Sequence, residues 1–187
     1  MALIGAVLSL TGCQHSEKKA VDQDPLPTVA EPPYVCGYIP TRAVELMTGV
    51  RDPLVRGSFD LSVADGLGAG GCAVYQPEGE RLQLLQIQLT PGGFREAVEE
   101  QVAAGASPLP EIVPGAVGYY FASAHGEDND AHALLVRGKA EINIALEIGV
   151  EGRDNAADVL ALMKLIAPRL ITDASAPSAS PSASGKG

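Results

Sequence analysis

The spacing of apolar residues changes several times along this chain. Ala2 to Leu10 is a nearly unbroken apolar run. Gln14 to Pro33 is polar and holds Pro25, Pro27, Pro32 and Pro33, a composition that predicts an extended spacer without a core of its own. From Tyr34 onward the pattern is that of a folded domain. Thr41 to Gly49 reads as a short helix, with Thr41 as its cap and Gly49 as its stop. Ser58 to Val63 places Phe59, Leu61 and Val63 at alternate positions, the period of a strand. Gly66 to Gly71 reads as a turn and Cys72 to Tyr75 as a second strand. After a turn at Pro77 to Glu80, Leu82 to Leu89 sets Leu85, Ile87 and Leu89 against Gln86 and Gln88. These two strands predict a hairpin.

Thr90-Pro91 predicts the start of another helix, with Thr as cap and Pro at the first helical position. Phe94, Ala97, Val98 and Val102 then fall on one stripe, and Gly105 ends it. A proline-rich loop, Ser107 to Gly115, leads to three predicted strands: Val117 to Ala122, His132 to Arg137 and Glu141 to Ile148. Asp154 or Asn155 caps a last helix, which packs through Val159, Leu160, Leu162, Met163, Leu165 and Ile166 and is limited by Pro168. Ala174 to Gly187 contains only Ala, Ser, Pro, Gly and one Lys, and predicts a disordered tail.

The predicted order is α-β-β-β-α-β-β-β-α. Strands in runs joined by short turns predict an α+β fold: an antiparallel sheet of five to six strands with the helices packed on one face. The expected division is a signal peptide at 1–12, a lipidated disordered spacer at 13–33, a single α+β domain at 34–173 and a disordered tail at 174–187. The alternation of single strands and helices that builds a parallel dinucleotide fold is absent from the pattern.

The start of the chain adds a location. Leu10-Thr11-Gly12-Cys13 closes the apolar run as a bacterial lipobox does: a small residue precedes a cysteine whose sulfur takes a diacylglycerol, and cleavage leaves that cysteine first. The apolar run is too short to span a bilayer, which needs about 20 residues, but it has the length of a signal-peptide core. The usual basic start is missing from Met1-Ala2-Leu3-Ile4, so the true start is expected upstream. Two acyl chains hold a protein on a membrane where one does so only marginally. The expected place is therefore the outer face of the cell membrane, attached through Cys13.

Charge and cysteine count narrow the partners. The chain has 187 residues with 23 acidic and 13 basic side chains, a formal charge of −10. Such a surface repels polyanions, so nucleic acid is not an expected partner. Of three cysteines, setting aside Cys13 leaves Cys36 and Cys72. In an oxidising compartment this pair is expected to form a disulfide; two free thiols or half of a metal site are the alternatives.

Candidate chemistry is sparse. Gly66-x-Gly68-x-Gly70-Gly71 looks like a phosphate loop but precedes a strand, so no helix N-terminus is there to meet an anion. His125-Gly-Glu-Asp-Asn-Asp-Ala-His132 gathers ligand-type side chains at a spacing that matches no metal loop, and an acidic turn explains it equally well. Tyr119-Tyr120-Phe121 is the one aromatic cluster. With Phe94, and with Pro108, Pro110 and Pro114 nearby, it is the candidate binding surface, an apolar groove; the alternative is plain core packing. No catalytic set, metal site or cofactor motif can be assembled.

Taken together, several features resemble a family of small actinobacterial lipoproteins of unassigned function. These are the lipobox and polar spacer, Cys36-Gly-Tyr-Ile-Pro-Thr running into a short helix, and Cys72-Ala-Val-Tyr75 in a strand. Val113-Pro-Gly-Ala-Val-Gly118 and the C-terminal helix ending near Pro168-Arg-Leu170 complete the set. The chain departs from that pattern in carrying Tyr75 where such proteins often have Trp, and in its Ser/Ala/Pro tail. The resemblance implies an exported, disulfide-bonded α+β envelope protein and implies no reaction. The expected function is a non-enzymatic binding protein for a small ligand, an envelope lipid or an envelope protein. The alternatives are an accessory subunit of a membrane complex and an envelope hydrolase without a recognisable motif.

Overall fold

The computed structural model describes residues 21–122 and 129–176. Two two-residue strands, β1 (Tyr34–Val35) and β2 (Ile39–Pro40), form a small ribbon that feeds α1 (Thr41–Thr48). A meander follows: β3 (Leu54–Asp60), β4 (Ala69–Tyr75) and β5 (Gln83–Pro91). Next come α2 (Arg95–Ala103), a second meander of β6 (Ser107–Pro108), β7 (Val117–Ala122), β8 (Ala131–Arg137) and β9 (Ala140–Leu146), and finally α3 (Asn155–Leu170). The two meanders meet through β5 and β9, giving one antiparallel sheet in the order β3-β4-β5-β9-β8-β7-β6. The fold is α+β with an antiparallel sheet. Seven strands replace the expected five to six because β6 adds a short edge, and the β1–β2 ribbon stands apart.

Strand register sorts the side chains onto two faces. Val74, Leu85 and Leu146 lie in one row across the sheet, Cys72, Ile87, Ile144 and Ala133 in the next, and Leu89, Ile142 and Leu135 in a third. All are buried, and they share one core with Val44 and Met47 of α1 and with Leu162, Met163 and Ile166 of α3. Each such side chain adds about 1.5–3 kcal/mol by leaving water. The Cys36–Cys72 disulfide, with Cα atoms 5.9 Å apart, ties the turn of the β1–β2 ribbon to the first face of β4. Arg169 of α3 stacks its guanidinium 4.2 Å from the centre of the Tyr34 ring, fixing the ribbon from the other side.

The expectation of all helices on one face is corrected. α1 and α3 cover the first face, but α2 comes in over the second. Val136, on the second face by register, lies against Gly93 just before α2, and α2 packs on β7 and β8. Val98 is buried there, outside the main core.

Other boundaries differ for local reasons. Thr90 and Pro91 end β5 instead of opening α2: Gly92 and Gly93 both donate to the Lys139 carbonyl, at 2.6 and 2.9 Å, which prolongs the strand. Proline at a strand end sacrifices no ladder bond. Gly70 and Gly71 belong to β4, not to a turn. At Gly70 (φ 142°) a Cβ would stand 2.3 Å from the Ser58 carbonyl oxygen, so only glycine lets β3 approach. Pro168 lies inside α3 on its exposed side, and Ala167 and Leu170 stay buried beyond the expected stop. Gly49, in the left-handed conformation, does stop α1, and the Asp154 side chain caps α3 by accepting from the Ala157 N–H at 2.9 Å.

The edges of the domain are also wider than expected. Val21 to Pro33, assigned to a disordered spacer, runs along the folded body. Leu26 is buried in the core, and Arg42 of α1 holds Asp22 at 2.7 Å. Arg153, just ahead of α3, donates to the carbonyls of Asp22 and Asp24. At the other end, Asp173–Ser175 forms a 3-10 turn with Ser175 buried, so the fold continues past residue 173. Arg137 holds that turn by donating to the Thr172 carbonyl at 2.9 Å.

Candidate functional site

The second face of the sheet is where the site can be built. Away from α2 it carries two registered rows. One runs Ser58, Gly71, Gln88, Asn143, Leu134, Tyr119 from β3 to β7; the other runs Arg56, Ala73, Gln86, Ala145, His132, Phe121. Gly71, Ala73 and Ala145 are too small to fill the space above the strands. At the β3–β5 end this leaves a shallow trough of about 400 Å³ lined by Arg56, Ala73, Gln86, Gln88 and Thr90. Gln83 donates to Gln86 at 3.2 Å. The amides of Gln88 and Asn143 make no hydrogen bond to the described residues, which leaves their donors and acceptors to water or a ligand.

The aromatic end of the same face is ordered by stacking. Tyr119 and Phe121 are two residues apart on β7, so both rings stand on this face, 6.2 Å apart and 14° from parallel. Phe121 stacks in turn on His132 of β8, at 5.4 Å and 16°. Phe121 keeps 37% of its surface exposed. Burial holds the Tyr119 phenol above its ordinary pKa, and the Glu141 charge adds to that.

Strand alternation divides the predicted aromatic surface. Tyr119 and Phe121 are brought together, whereas Tyr120 points to the opposite face and packs against the core. Phe94 precedes α2, is 68% exposed and belongs to no helical stripe. The anticipated proline-lined groove exists with a different lining: Val98, Val102, Pro108, Leu109 and Val117 enclose about 460 Å³ between α2 and β7, with Glu99 and Glu111 at its rim. Val117 adjoins Tyr119 on the second face, so this pocket borders the aromatic row.

A separate groove of about 440 Å³ lies between the N-terminal stem and α3. At its head the Arg153–Asp158 pair is bidentate, at 2.7 and 2.8 Å, and nearly sealed from solvent. Asp158 raises the Arg153 pKa against the opposing effect of burial. This pair is occupied with holding the stem and offers nothing to a ligand.

Cys13, the signal peptide and His125 lie outside the described residues, as does the tail beyond residue 176. His132 serves the aromatic stack, and among the described residues no group of three or more His, Cys, Asp or Glu side chains gathers as metal ligands. Among them, too, no helix is long and apolar enough to cross a membrane. The polar half of the site was visible as alternate glutamines on one strand, but its pairing with Asn143 and His132 depends on a β5–β9–β8 register that the sequence does not state. No protein-family model matches the chain, and neither a curated protein nor a solved structure matches it.

Proposed function

We propose that this chain is an exported, lipid-anchored protein of the cell envelope that binds a ligand on the second face of its sheet without transforming it. The observation that carries the binding half is the continuous open surface formed by Tyr119, Phe121, His132, Asn143, Gln86 and Gln88. Stacked, partly exposed rings beside uncommitted amides offer apolar contact and directional hydrogen bonds together, which is the usual make-up of a ligand surface. The anchoring half rests on the lipobox at Leu10 to Cys13, on a disulfide suited to an oxidising space and on the resemblance to actinobacterial lipoproteins.

Two measurements test it. Cys13→Ser is expected to move the protein from the membrane fraction to the soluble one; retention on the membrane refutes the anchor. In amide NMR spectra titrated with lipid and carbohydrate fractions of a bacterial envelope, shifts are expected at residues 117–121, 132–134, 143 and 86–88. Shifts confined to the α1–α3 side, or none, refute the binding face.

A further inference from the structure

The chemistry of the two rows narrows the ligand, on the reading that the second face is the ligand face. We propose that the trough and its aromatic end form a site for a neutral glycan chain. The protein carries a formal charge of −10, yet between Arg56 at the β3 edge and Phe121 on β7 neither row bears a carboxylate or an ammonium. The polar groups present are Ser58, Gln86, Gln88 and Asn143, joined by Thr90 at the trough's margin. Amides and hydroxyls both donate and accept, which matches sugar hydroxyls and gives no preference for an ion. A charged ligand buried on such a face would lose hydration without gaining a counter-charge.

The rings supply what amides cannot. A pyranose or furanose has an apolar face of C–H groups, and it covers an aromatic face without breaking its own hydroxyl bonds. Tyr119, Phe121 and His132 present nearly parallel rings. The floor of Gly71, Ala73 and Ala145 leaves room for a chain to lie across the strands. From β4 to β7 the face spans four strand spacings, about 19 Å, enough for an oligomer and more than one sugar needs. The apolar pocket beside α2 has a carboxylate rim and is not part of this site.

The full-length protein with Cys13→Ser is titrated with linear hexasaccharides of glucose, mannose, N-acetylglucosamine and arabinofuranose, read by amide NMR shifts. At least one is expected to shift Gln86, Gln88, Asn143 and Phe121 together. Phe121→Ala is expected to weaken that binding about tenfold, the value of a lost aromatic contact. Gln88→Ala should weaken it as well, while Phe94→Ala leaves it unchanged. Phe121 and Gln88 are exposed, and unaltered circular dichroism of each variant separates lost binding from lost fold. If no hexasaccharide shifts these residues but an envelope lipid fraction does, the glycan assignment is overturned and the ligand face stands. If neither shifts them, both fall.

Discussion

The Arg153–Asp158 pair gives the sharpest stability prediction. The two side chains are only 4% and 8% exposed, and the guanidinium meets both carboxylate oxygens, at 2.7 and 2.8 Å. Its remaining N–H groups bind the stem carbonyls of Asp22 and Asp24. Asp158→Ala removes the counter-charge and leaves the cation buried. Breaking a buried pair in this way costs about 3–5 kcal/mol. For a chain of this size that lowers Tm by roughly 10 °C or more. Replacing both partners, as Arg153→Met with Asp158→Leu, removes the stranded charge, so the double variant is expected to lose only about 1–2 kcal/mol, mostly the stem hydrogen bonds. Urea denaturation followed by circular dichroism measures both, and hydrogen exchange at residues 22–28 should rise in each. An Asp158→Ala protein within about 1 kcal/mol of the parent, or a double variant as weak as the single one, would refute the reasoning.

Three further outcomes follow from the geometry. Replacing both Cys36 and Cys72 with Ala opens a loop with a sequence separation of 36 and should cost about 4 kcal/mol in the chain-entropy account, read by urea denaturation. Gly70→Ala forces a Cβ to within 2.3 Å of the Ser58 oxygen and should cost about 3 kcal/mol, whereas Gly79→Ala, with open space around its Cβ, should cost less in the same assay. Tyr119, whose phenol titrates above its ordinary value in the folded protein, stabilises the fold fully below the ordinary tyrosine pKa near 10; that contribution is lost as pH rises through the higher folded value, and ultraviolet titration of Tyr119→Phe against the parent should remove the latest-ionising tyrosine.

Much of the fold was legible because its strands alternate cleanly. Leu85, Ile87 and Leu89, then Ile142, Ile144 and Leu146, announce both strands and their buried face. The cysteine pair was legible from compartment and count. What the sequence hid was long-range. Thr90-Pro91 carries a helix-start signal, but pairing with the β8–β9 turn outweighs it. The Pro-rich stem looks unstructured by composition, yet Leu26 finds the core and Arg153, more than a hundred residues away, finds its carbonyls. The site suffered in the same way. Tyr119, Tyr120 and Phe121 read as one cluster in one dimension, and the period of a strand sends the middle ring to the other face.

The docked stem changes the mechanics of attachment. A spacer running from Cys13 to Pro33 would let the domain roam widely. With the chain already seated on the body at Asp22, only the step from Cys13 to Val21 is left to act as a leash. Eight residues reach at most about 28 Å. In the lipid-anchored reading, the domain therefore hovers within roughly one domain diameter of the bilayer. The seat of the leash is on the helix layer, so the full thickness of the sheet separates it from the second face. The protein would sample a thin shell above the membrane, and any glycan it holds would have to pass through that shell.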